Sequence, residues 1–208
     1  MRPKVKICGI TNLEDALAAA RRGADYLGFI FAETSPRFVT PEAAKGMVAH
    51  VPADILKVGV FVDTSADQVV KTLHVCGLDI AQLCGDETAA DVAVIGAGRV
   101  WKAWHLMTAA DVAAAAEFPA AAILADTMLP GQRGGTGKVC DWDLAARLSG
   151  RRPIVLAGGI TAENIAAAAA AVKPAVIDIG SGVEASPGRK DTRKLDALFG
   201  VVKDMKDL

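Results

Sequence analysis

Several things are scarce in this chain, and each scarcity narrows its function. No apolar run is long and lipid-like enough to span a bilayer, and the Ala-rich stretch from Ile165 to Val172 falls well short. Neither sign of charge dominates: 23 Lys and Arg against 24 Asp and Glu leave a net charge of −1. No global basic field therefore points to nucleic acid or a membrane surface, although a local positive site can still serve a small anion. Histidine occurs only at 50, 74 and 105, each isolated. The cysteines at 8, 76, 84 and 140 have no CxxC pairing, which argues against a zinc site or a disulfide framework. Met1-Arg2-Pro3-Lys4 leads into only a few apolar residues, too few for a signal-peptide core, so a reducing cytoplasm is the expected setting. No GxGxxG follows the first apolar run, leaving dinucleotide binding unsupported.

What is abundant is alternation. Apolar β-rich runs begin near Lys4, Asp25, Ile55, Asp79, Arg99, Ala121, Ile154 and Val176, with helical patterns between them. Tyr26-Leu27-Gly28-Phe29-Ile30-Phe31 and Val58-Gly59-Val60-Phe61-Val62 are apolar on consecutive residues, as in strands buried on both faces. Helix starts are expected at Thr11 with Glu14 and at Ser65 with Gln68, both at capping-box spacing. Further starts are expected at Thr40 before Pro41, and at Thr108, Asp141, Thr161 and Asp191. Gly23, Gly77 and Gly150 read as helix stops. Eight strand–helix units in 208 residues predict a minimal (β/α)₈ TIM barrel spanning 1–208 as a single domain. An open doubly wound sheet is the alternative.

In a barrel, chemistry sits at the C-terminal ends of the strands. Cys8 ends the first strand, just before Gly9 and a helix start, where a lowered pKa would suit a general base; a free cysteine can equally be a small core residue. Asp126 ends Ala121-Ala122-Ile123-Leu124-Ala125, where a partly desolvated carboxyl can act as general acid, or cap a turn. Arg37, in Ser35-Pro36-Arg37-Phe38, offers a fork for a carboxylate, or is a surface arginine. Gly158-Gly159 follows the seventh strand, and Asp178-Ile179-Gly180-Ser181-Gly182 follows the eighth. Those two loops are the recurrent phosphate site of barrels, although ordinary turn glycines would look alike. Residues 131–138, Gly-Gln-Arg-Gly-Gly-Thr-Gly-Lys, fail the P-loop order and are expected to cover the site.

These residues together resemble the phosphoribosylanthranilate isomerase family of tryptophan biosynthesis. The resemblance runs from Lys6 to about Lys194. It is carried by Lys6-Ile7-Cys8-Gly9-Ile10-Thr11, Ser35-Pro36-Arg37, Val58-Gly59-Val60-Phe61, Gln82-Leu83 and Leu124-Ala125-Asp126-Thr127. It continues in Gly134-Gly135-Thr136-Gly137-Lys138, Asp141-Trp142, Leu156-Ala157-Gly158-Gly159, Ser181-Gly182-Val183-Glu184, Pro187-Gly188 and Lys190-Asp191. The resemblance implies a cytoplasmic barrel, expected as a monomer, with no cofactor or metal and with a small phosphoribosyl substrate. It implies an Amadori rearrangement of N-(5-phosphoribosyl)anthranilate to 1-(2-carboxyphenylamino)-1-deoxyribulose 5-phosphate. Asp126 would be the acid, Cys8 the base and Arg37 the carboxylate grip. Backbone groups around Gly158, Gly159, Ser181 and Gly182 would hold the phosphate, and Asp178 would be a further substrate-binding residue. The sequence departs from the family pattern at Cys84, where histidine is frequent, at Gly180, where serine is common, and at Cys140, where phenylalanine is common. Competing readings are another phosphate-binding barrel, such as a lyase using Lys57 and Lys102, and a non-catalytic phosphosugar-binding barrel.

Overall fold

The structure is a computed structural model that describes residues 2–126 and 142–205. Among these, eight parallel strands close into a barrel in chain order. They are β1 (Lys4–Cys8), β2 (Tyr26–Ile30), β3 (Leu56–Phe61), β4 (Ile80–Leu83), β5 (Val100–His105), β6 (Ala122–Asp126), β7 (Ile154–Ala157) and β8 (Val176–Ile179). Each start lies within one residue of the sequence expectation. The helices are α1 (Leu13–Arg22), α2 (Pro41–Val48), α3 (Ala66–Cys76), α4 (Ala89–Ile95), α5 (Ala109–Glu117), α6 (Trp142–Ser149), α7 (Ile165–Val172) and α8 (Thr192–Asp204). The doubly wound alternative is therefore set aside, since β1 pairs with both β2 and β8.

Strand periodicity divides the core in two. Outward residues such as Ile7, Leu27, Phe29, Ile123 and Ile177 pack under the helices. Inward residues form a second cluster of Tyr26, Val58, Trp101, Ala122, Leu124, Val155 and Val176. Tyr26 and Trp101 meet edge to face at 5.1 Å, with the Lys4 ammonium over the Tyr26 ring. Towards the C-terminal end the inward positions turn polar. On β8 Val176 is followed at the same parity by Asp178, on β4 Ile80 by Gln82, and on β6 Leu124 by Asp126. The barrel is thus apolar at one end and chemically equipped at the other.

Helix ends follow local chemistry with three corrections. Thr40, Thr108 and Asp191 cap their helices as expected, and Gly23 and Gly77 end theirs in the left-handed conformation. The first helix is capped by Asn12, whose side chain accepts from the Asp15 N–H. Thr11 is occupied elsewhere, its hydroxyl donating to the Gly188 carbonyl. Ser65 is an N-cap without a side-chain cap bond. Helix α7 starts after Asn164 rather than Thr161, and Asn164 accepts the Thr161 N–H. The expected cap at Asp141 lies outside the described residues. Beyond β8 the sequence reading missed a short antiparallel hairpin, β9 (Glu184–Ser186) and β10 (Arg189–Lys190), turning at Pro187-Gly188.

Candidate active site

Cys8 and Asp126 are each the last residue of their strand, and both are partly exposed. Their parity is that of Lys6 and Leu124, so both belong to the inner face of the rim. Space beside Cys8 is made by Gly28 on the neighbouring strand. A Cβ there would lie 2.9 Å from Cys8 Sγ, 2.9 Å from Lys6 Cε and 3.1 Å from Lys6 Nζ. One missing methyl group therefore lets a thiol and an ammonium share the same corner of the barrel.

Lys6 is wholly buried, a position a lysine occupies only with partners. Its Nζ donates to Asp178 Oδ2 and to Gln82 Oε1, both at 2.8 Å, reaching across the barrel interior. Burial alone would drive its pKa down. The Asp178 carboxylate overcomes that and holds Lys6 charged, its pKa raised above the ordinary lysine value. Burial pushes the Cys8 thiol up, the Lys6 ammonium draws it back, and Asp178 adds to the rise. The net direction is upward. The lowering expected from a helix start is absent because α1 begins only at Leu13, and the helix dipole fades within a turn. Cys84, where the family pattern prefers histidine, receives the Gln82 side-chain amide at 3.3 Å; burial lifts its pKa to about 11.

Arg37 lies in the segment between β2 and α2, across Gly9. Gly9 has φ +76°, and a Cβ on it would stand 2.6 Å from Arg37 Cδ, so this position needs glycine on both counts. Arg37 is not an unattached surface residue. Its Nε and one Nη donate to Glu184 at 2.8 and 2.6 Å. Sequence reasoning quoted Lys6, Gln82, Glu184 and Lys190 only within motifs and gave none of them a task.

The two glycine loops meet. Gly158 and Gly159 both have positive φ, and the Asn164 side-chain amide holds the Gly159 carbonyl at 2.9 Å. After β8, Ser181–Val183 forms a single 3₁₀ turn. Gly182 packs so closely on the Ile160 carbonyl that any Cβ would collide with it. Asp178, on β8 just before the second loop, accepts from Lys6 Nζ on the inner face of the barrel. Residues 131–138 and Cys140 lie outside the described residues. Among the described residues no group of three or more His, Cys, Asp or Glu is arranged to hold a metal ion, and no helix is long and apolar enough to cross a membrane.

Comparison with known proteins agrees with this architecture. A family model described as N-(5'-phosphoribosyl)anthranilate (PRA) isomerase matches residues 5–201. The chain is 46% identical over 200 residues to the N-(5'-phosphoribosyl)anthranilate isomerase of Citrifermentans bemidjiense, covering 96% of this chain and 97% of the relative. The crystal structure of phosphoribosyl anthranilate isomerase from Thermotoga maritima superposes with a TM-score of 0.89 at 38% identity, over 98% of this chain and all of that one. A phosphoribosyl anthranilate isomerase in complex with reduced 1-(o-carboxyphenylamino)-1-deoxyribulose 5-phosphate gives a TM-score of 0.85 at 35% identity, over 98% and 100%.

Proposed function

Since the chain belongs to the N-(5'-phosphoribosyl)anthranilate isomerase family of tryptophan biosynthesis, we propose that it rearranges N-(5'-phosphoribosyl)anthranilate with Asp126 as general acid and Cys8 as general base. The observation that carries the reading is the position of both residues at the inner ends of their strands, in the polar half of the barrel. Asp126 donates a proton to the furanose ring oxygen as the C1–O bond breaks, and the anilino nitrogen supplies the electrons for an iminium. Cys8, as thiolate, removes the C2 proton, and the C2–H electrons form the C1–C2 double bond of an enolamine. That enolamine tautomerises to the ketone by losing its C2 hydroxyl proton and gaining one at C1, so the substrate is isomerised with no net proton change, and the proton taken by Cys8 is exchanged with solvent as Asp126 regains its own.

Lys6 explains how a half-buried thiol can take this part. Its fixed positive charge faces Cys8 and favours the thiolate over what the apolar surroundings alone would allow. Arg37 grips the anthranilate carboxylate, and the backbone of Gly158, Gly159, Ser181 and Gly182 holds the phosphate. Holding both ends of the substrate fixes C1 and C2 between acid and base, which supplies the orientational part of catalysis. Asp178, with one carboxylate oxygen on Lys6, serves the reacting centre through that lysine.

The decisive experiment supplies phosphoribosylanthranilate to the purified protein and follows the loss of anthranilate-type fluorescence. Cys8→Ala and Asp126→Asn should each lose about 10²–10⁴-fold in turnover. Wild-type turnover by either variant removes that residue's assigned role.

A further inference from the structure

Glu184 is a carboxylate for which the reaction itself has no use, yet its side chain is only 4% exposed. Its Oε1 accepts from Arg37 Nε at 2.8 Å, Lys190 Nζ at 2.9 Å and the Gly188 N–H at 3.3 Å. Its Oε2 accepts from an Arg37 Nη at 2.6 Å. Burial pushes this carboxyl up, and the Arg37 and Lys190 cations outweigh it, holding Glu184 below the usual glutamate range. Lys190, whose side chain is also fully buried, donates further to the Cys8 and Gly180 carbonyls. Its backbone N–H donates to Asp15 at 2.9 Å.

The geometry of the arginine gives this arrangement a purpose. A guanidinium has five N–H donors in one plane. Glu184 occupies the Nε side of the fork, which fixes the plane and leaves the end-on edge, the other Nη and the second proton of the bonded one, for another carboxylate. Arg37 retains 23% side-chain exposure despite this pairing. We propose that Glu184 is a positioning residue: it orients Arg37 for the aromatic carboxylate of the substrate and, through Lys190, ties that grip to the backbone of Cys8. An arginine without this brace would have to be immobilised by the substrate itself, and the cost appears as weaker binding. The inference rests on the reading that Arg37 grips the carboxylate.

Two stable probes separate the possibilities. One is reduced 1-(o-carboxyphenylamino)-1-deoxyribulose 5-phosphate, and the other is the same compound without the carboxyl group. Their affinities are measured by titration calorimetry on the wild type, Glu184→Gln, Arg37→Ala and the double variant. Glu184→Gln should weaken the carboxylated probe about tenfold and leave the other within about twofold. The double variant should bind the carboxylated probe no more weakly than Arg37→Ala alone. Glu184→Asp keeps a carboxylate near Lys190 but retracts it from Arg37, so it should show the same selective loss even if the glutamine variant does not fold. Equal weakening of both probes, or full additivity with Arg37→Ala, overturns the positioning role while leaving the grip intact. If Arg37→Ala loses both probes alike, the grip itself is wrong and Glu184's role falls with it.

Discussion

Replacing Lys6 by methionine tests whether the charged layer of the barrel is as tightly coupled as its geometry implies. The perturbation removes a cation of 0% exposure from an aspartate of 8% exposure, 2.8 Å away. At an effective dielectric near 20 the gross attraction at that separation is about 6 kcal/mol, offset by the desolvation of both ions. Breaking one side leaves Asp178 buried without its counter-ion, and its second oxygen, Oδ1, already has no hydrogen-bond partner among the described residues. The expected loss is therefore about 3–5 kcal/mol. With a urea slope of about 2 kcal/mol/M, the unfolding midpoint should fall by roughly 1.5–2.5 M. Asp178→Asn alone should cost a comparable amount, because it strands Lys6 instead. The double variant, Lys6→Met with Asp178→Asn, should recover most of either loss. A single-variant cost below about 1 kcal/mol, or a double variant whose loss equals the sum of the singles, refutes a desolvated and mutually dependent pair.

Two further outcomes follow from the same corner of the barrel. In the proposed mechanism the base is the Cys8 thiolate, and burial raises the Cys8 pKa, so the thiolate is lost as pH falls from above the ordinary thiol range. The alkylation rate of Cys8, read by mass spectrometry of the Cys8 peptide, should accordingly rise through neutrality and keep rising past pH 8.5; a plateau starting below pH 7 contradicts it. Gly28→Ala inserts a methyl group 2.9 Å from both Cys8 Sγ and Lys6 Cε. It should cost about 1–3 kcal/mol in urea unfolding and depress turnover by moving the thiol, and wild-type turnover would show the corner to be loosely packed.

The strands were legible because a strand buried on both faces must be apolar at consecutive positions, and the shortness and β-rich composition of each run set it apart from a buried helix. The rim positions of Cys8 and Asp126 were legible for a related reason: each polar side chain stands where a strand run stops. The partners were not. Lys6 and Asp178 are 172 residues apart, Arg37 and Glu184 147, and no local pattern joins them. A weaker signal was present, since Lys6 in Lys-Val-Lys-Ile-Cys, Gln82 in Ile-Ala-Gln-Leu and Asp178 in Val-Ile-Asp-Ile are polar residues inside strands that should be apolar. Alternation assigns all three to the inner face, where closure of the barrel makes them neighbours. The expected lowering of the Cys8 pKa failed because a helix start was credited with a reach of several residues, whereas burial acts on the thiol directly.

The Lys6–Asp178–Gln82 layer is an inefficient way to stabilise a barrel. Apolar residues of similar volume would fill the same interior at equal or lower free energy, because a buried ion pair must first lose its water. Aliphatic side chains already do so elsewhere in the barrel interior, through Val58, Leu124, Val155 and Val176. What an aliphatic layer cannot supply is a positive charge beside the thiol. A cation free in solvent would be screened and mobile, whereas one held by two 2.8 Å contacts acts at fixed position in a medium of low dielectric. The same carboxylate that fixes the lysine also opposes thiolate formation, so the pair's benefit to Cys8 depends on the lysine being the nearer charge. Gly28 secures that order by leaving room for Lys6 Nζ and Cys8 Sγ around one point, while Asp178 holds the ammonium from β8.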